Sequence, residues 1–153
     1  SHQFEGIVTN KIETIISALE AKLILAGIKK TIRYPEQYKN IGNQYPLAII
    51  KEGRQDYVAT SGNRYEYDLY ISIVLVGVYG NNRMKNMQDL QVAAFNQLFP
   101  SATFGGLAMN VNPISVETGE IMKGSDLSAF AGHNEAASFR EITIQFRVQD
   151  TRR

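Results

Sequence analysis

Between residues 64 and 80 the chain reads RYEYDLYISIVLVGVYG, and alternate positions along it behave differently. Tyr65, Tyr67, Leu69, Ile71, Ile73 and Leu75 are apolar throughout, as expected of a strand that keeps one face on a core. The opposite set starts with Glu66, Asp68, Tyr70 and Ser72, which suit water, and ends with Val74, Val76 and Val78, which do not. FREITIQFRVQD near the end alternates as cleanly, with Ile142, Ile144, Phe146 and Val148 on one face and Glu141, Thr143, Gln145 and Arg147 on the other. These two segments are predicted as the principal strands.

Two stretches carry a helical period instead. Over residues 7–26, Val8, Ile12, Ile15, Ile16, Leu19 and Leu23 recur every three or four positions, and Gly27 follows as a left-handed cap. In RMKNMQDLQVAAFNQLFP, Met87, Leu90, Ala94 and Leu98 form one face, Phe95 and Phe99 widen it, and Pro100 ends the run. An asparagine of the preceding GNN is placed to cap that helix through its side chain. Both helices are expected on the same face of the sheet.

Between these elements the pattern is weaker. IKKTIRYP alternates loosely and EQYKNIGNQYP reads as a loop. LAII, QDYVAT and the long strand are predicted as three hairpin-linked strands, with KEGR and SGN as the turns. SATFGGL reads as a linker. AMNVNPISVETGEIMKG supplies one or two short strands with ETGE as a turn, and Pro113 confines its neighbourhood to an edge or a bulge. SDLSAFAGHNEAAS reads as a mobile loop. The fold class expected is α+β: a single mainly antiparallel or mixed β-sheet with two α-helices packed on one face.

Val74, Val76 and Val78 need a cover, since each would forfeit about 1.5–3 kcal/mol if left in water. Either part of the same chain, such as the 101–124 region, folds over that end of the sheet, or another subunit does. The three valines, with Tyr34 and Tyr38 from the neighbouring loop, are the candidate subunit-interface residues.

Composition narrows the function classes. At 153 residues with 44% hydrophobic and 20% charged residues, the chain has the make-up of one globular domain, and no apolar run approaches the ~20 residues of a membrane span. The opening Ser1 and His2 resemble the scar of a cleaved tag, so residues 1–3 are set aside as remnant and extension and 4–153 are taken as one α+β domain. Sixteen basic against 15 acidic residues give a net charge of +1, which leaves no global field for nucleic acid or an anionic membrane. The absence of cysteine removes disulfides, thiolate metal sites and a cysteine nucleophile.

The remaining chemistry-bearing residues each have a plainer reading. His133, in GHNEA with Glu135 two positions on, is the single histidine outside the opening pair and reads as a solvated loop residue rather than a general base. Ser125 and Asp126 complete the residue types of a hydrolase triad with it, but no nucleophile elbow holds them. Glu66 and Asp68 share a strand face and could pair as acids or hold a cation; the simpler reading is a solvated sheet face. FGGLAMN lacks both nucleotide-binding glycine spacings. Arg33, Tyr34, Tyr38 and Lys39 interleave aromatic and basic groups as a single-strand binder would, against a surface loop or protein contact. Met84, Met87, Met109 and Met122 read as core filler. No catalytic, metal-binding or cofactor-binding residue is assigned.

The order of an opening amphipathic helix, YPLAII, YEYDLYISIVLVGV, the helix MKNMQDLQVAAFNQLF, a polar hairpin region and the closing FREITIQFRVQD resembles the bacteriophage tail terminator proteins, also described as minor tail U-like or tail-completion proteins. The resemblance spans nearly the whole chain and lies in layout and size. It implies a domain that assembles as a ring, possibly of six copies, on the end of the tail tube, with a surface on which the head connector docks. The partners implied are further copies of itself, tail-tube and head-connector proteins, with no membrane and no specific nucleic acid. The place implied is the virion tail, after synthesis in the host cytoplasm. Residues 33–45 and 123–138 would order on contact with neighbours. The other readings open at this point are another neck or tail-tube protein, an enzyme using the 125–135 loop, and a small-ligand or nucleic-acid-binding module.

Overall fold

In the computed structural model, residues 10–35, 44–121 and 137–151 are described. Helix α1, Lys11–Leu25, starts where Asn10 accepts the Glu13 backbone N–H at 3.0 Å. It stops at a Schellman cap. The Gly27 N–H donates to Ile24 O and the Ile28 N–H to Leu23 O, with Gly27 at φ +106°. Ile28 and Leu23, brought together by that cap, are both buried in the same core.

The chain then forms β1 (Lys30–Arg33), β2 (Leu47–Ser61), β3 (Arg64–Gly77), helix α2 (Arg83–Leu98), β4 (Asn110–Ile121) and β5 (Ala137–Thr151). These strands form one five-stranded sheet in the order β1-β2-β3-β5-β4. β1 runs parallel to β2 and the other pairs are antiparallel, so the sheet is mixed. Ile15, Ile16, Leu19 and Leu23 of α1 and Met87, Leu90, Ala94 and Leu98 of α2 share a core with the alternate set Tyr67, Leu69, Ile71, Ile73 and Leu75 of β3. Ile142, Ile144, Phe146 and Val148 of β5 join the same core. The fold is therefore α+β with both helices on one sheet face, as the periodicities predict.

Four local expectations are corrected. KEGR is not a turn, because β2 runs unbroken through it with a register shift between Glu52 and Gln55. LAII and QDYVAT are thus one 15-residue strand. ETGE likewise lies inside β4, which is a single edge strand; the irregularity next to Pro113 is present, between Pro113 and Ser115. Asn82 precedes α2 at φ +53° and makes no side-chain capping bond. SATFGGL does more than link: Phe104, at φ +52°, is buried edge-on to Phe146 with ring centroids 5.2 Å apart.

Candidate interaction surface

On the face away from the helices, Val74 and Val76 belong to a second core with Ile32, Leu47, Ile49 and Ala137. The register explains the grouping: Leu47 lies opposite Val76, Ile49 opposite Val74, and Ile32 beside Ile49. Tyr45, Val78 and Phe139 pack against this cluster. Val76 is 0% exposed and Val74 3% exposed within the single chain, whereas Val78 keeps partial exposure. Of the three valines, only Val78 retains appreciable surface for a second copy. The 101–124 region was one expected cover, but its Phe104, Val111 and Val116 belong to or pack against the helix-side core instead.

Further along the same face the polar half of β3 is also less open than its residue types suggest. Asp68 is 7% exposed because Arg147 of β5, its direct cross-strand neighbour, donates to it from Nε at 2.6 Å and from Nη2 at 3.3 Å. These bonds hold the Asp68 carboxyl below the ordinary aspartate range despite burial, which acts the other way. Arg147 also approaches Glu66 at 4.0 Å. The two acids thus share an arginine and are not poised as an acid–base pair. Asp56 lies directly opposite Asp68, a like-charge pairing that would be unfavourable alone. Arg54 offsets it by donating to Asp56 at 2.9 Å while its guanidinium lies 4.5 Å from the Tyr70 ring centroid.

Tyr34, just past β1, is 54% exposed and so available to a neighbour. Its companion Arg33 is not free to meet phosphate. It binds Glu13 at 2.6 Å and Glu20 at 2.7 Å, clamping β1 to α1. Those carboxylates raise the guanidinium's pKa further. Tyr38, Lys39, Met122, Ser125, Asp126, His133 and Glu135 lie outside the described residues.

Residue pattern alone missed the apolar surface along the β4 side of the sheet. Met109 is 47% and Ile114 51% exposed, and Leu107 is exposed beside them. Met87 fills the core as expected, but Met84 and Met109 do not. The available clue was Pro113, which confines its neighbourhood to an edge strand or a bulge. Among the described residues, β4 pairs only with β5. Its outer edge is guarded at the start, where the Val111 N–H donates to Ala102 O at 2.8 Å and Pro113 has no N–H to offer. On the opposite side of the sheet, among the described residues, β1 pairs with β2 only from Leu47 to Ile50.

Among the described residues, no group of three or more His, Cys, Asp or Glu is arranged to hold a metal ion, and no helix is long and apolar enough to cross a membrane. No protein-family model and no curated protein matches the chain. Among solved structures it is similar to a chain described as "Virion of native gene transfer agent (GTA) particle", with a TM-score of 0.49, 11% sequence identity, and coverage of 89% of this chain and 92% of that one. So distant a likeness carries no argument about function.

Proposed function

We propose that the protein is a non-enzymatic structural component of a phage or prophage particle: a tail terminator or tail-completion protein that assembles as a ring on the tail-tube end and offers a docking surface to the head connector. The layout that resembles that family supplies the class. The observation that carries self-assembly is the exposed apolar run of Leu107, Met109 and Ile114 beside the unpaired side of β4. Such a patch on one flank of the sheet suits a head-to-tail contact, in which β4 of one copy meets the β1–β2 side of the next and rotation closes a ring. Because the first part of the β4 edge is guarded, copies would meet there through side chains. Tyr34 and Val78, both on the β1–β3 side, are the residues of the expected interface set with surface to contribute.

Sedimentation velocity over a wide concentration range tests this reading. The wild-type protein is expected to form a discrete higher species, visible as rings in negative stain. The double variant Met109→Asp/Ile114→Asp is expected to stay monomeric with an unchanged thermal midpoint. A wild-type protein that remains monomeric at the highest concentration, both alone and with tail-tube ends, would overturn it.

A further inference from the structure

On the sheet face away from the helices, the register gathers hydrogen-bonding side chains from three strands. Asn110 of β4, Arg147 of β5 and Asp68 of β3 lie side by side in one cross-strand row, and Asn112, Gln145 and Tyr70 lie in the next. Asp68, Asn110, Asn112, Gln145 and Arg147 line a cleft of about 280 Å³, with no apolar side chain among them. The cleft is open to solvent: Asn110 and Asn112 are exposed, and the Arg147 side chain is 37% exposed. Its charged pair is locked. The Asp68 carboxylate, its side chain only 9% exposed, holds Arg147 through Nε and Nη2, which uses two of the five guanidinium N–H groups. Nη1 comes no nearer to Glu66 than 4.0 Å, too far for a hydrogen bond. Among the described residues nothing answers the carboxamides of Asn110 and Asn112.

We propose that this cleft binds one ring of a saccharide through neighbouring hydroxyls. The charge balance selects a neutral ligand. Asp68 and Arg147 cancel within the cleft, the nearby Glu66 turns an anion away, and the Arg147 guanidinium does the same to a cation. The remaining groups decide which neutral ligand fits. A carboxamide presents a donor beside an acceptor and a guanidinium edge presents parallel donors, so each planar group can serve two adjacent hydroxyls, which both donate and accept. The carboxamides of Asn110, Asn112 and Gln145 and the Arg147 guanidinium therefore suit a surface dense in hydroxyls. A side chain from a protein partner would bring apolar carbon, and the core of a protein interface answers it with apolar or aromatic walls, which this cleft lacks. Strand pairing already sets the spacing of these groups, so little rearrangement precedes binding. The volume, just under the roughly 300–1,000 Å³ of small-molecule pockets, suits one ring. This site stands apart from the tail-terminator reading and does not require it.

The test follows the side-chain N–H resonances of Asn110, Asn112, Gln145 and Arg147 in the ¹⁵N-labelled protein during titration with the methyl α-pyranosides of glucose, mannose and galactose. At least one of these glycosides is expected to move them saturably, with a dissociation constant of about 1–10 mM, the affinity open to so small a neutral ligand. Glycerol, a polyol without a ring, and N-methylacetamide, a neutral amide, are the comparisons and should give only small shifts linear in concentration. Asn112→Ala, an exposed change on the edge strand, should weaken binding about fivefold and leave the core amide resonances in place, and Asn110→Ala should do the same. No saturable movement with any of the glycosides, equal saturation by glycerol or by N-methylacetamide, or unchanged affinity in both variants would each overturn the assignment.

Discussion

Val76 shows how one position decides between two kinds of surface. Its side chain is fully buried between Leu47 on one neighbouring strand and Phe139 on the other. Val76→Asp would place a charge where nothing can pair with it, at a cost of about 4 kcal/mol or more. The expected outcome is loss of the cooperative thermal transition, not a folded monomer released from an assembly. Asp68 is the polar counterpart. Its pKa is lowered in the folded chain, chiefly by the Arg147 hydrogen bonds, so its contribution is fully present above the ordinary aspartate value of about 3.9. That contribution is lost as pH falls from there through the lower folded value. Asp68→Asn should therefore destabilise by about 1–2 kcal/mol at pH 7, a figure reduced because Arg147 is partly in water, and the difference from wild type should shrink below pH 4. Urea midpoints at pH 7 and pH 3 check both halves.

At the scale of elements, what the sequence made legible was whatever a local period or cap controls. The apolar stripe of α1, the alternation of β3 and β5, and the Gly27 stop each follow from nearest-neighbour geometry. The two strand errors arose where a glycine was read as a turn. Gly53 lies within the irregular stretch of β2, and a Cβ there would come 2.7 Å from the Tyr70 carbonyl oxygen on the adjoining strand. Gly119 lies within β4, where a Cβ would come 2.8 Å from the Phe139 ring. Both glycines answer a close approach by a partner far away in sequence, which local pattern cannot show. The same reason hid the apolar flank of β4, which depends on which strand lies outermost. Gly53→Ala should accordingly cost about 1–3 kcal/mol, because the obstructing atom is backbone and the strands must part. Its urea midpoint should fall with an unchanged slope.

For the whole molecule, the sheet order ranks the elements by stability. β3 and β5 are hydrogen-bonded on both sides, and their alternate residues carry the core beneath both helices. β1 is four residues long, at an edge, and is tied to α1 by Arg33. Amides at Ile71, Ile73, Ile142 and Ile144 should thus exchange with deuterium only through global unfolding, while those of β1 exchange through local opening. The other edge is where the proposed self-association would show. Past Pro113, β4 amides that point away from β5 face no further strand among the described residues, so they should exchange readily in dilute protein. If copies meet along the flank marked by Met109 and Ile114, the exchange of those outward amides should slow as concentration rises, while the β3 and β5 amides keep their rates. The Met109→Asp/Ile114→Asp variant should lose that concentration dependence and keep the slow core. A protection pattern independent of concentration in the wild type would instead mean that this apolar flank serves a contact other than one between copies of the chain.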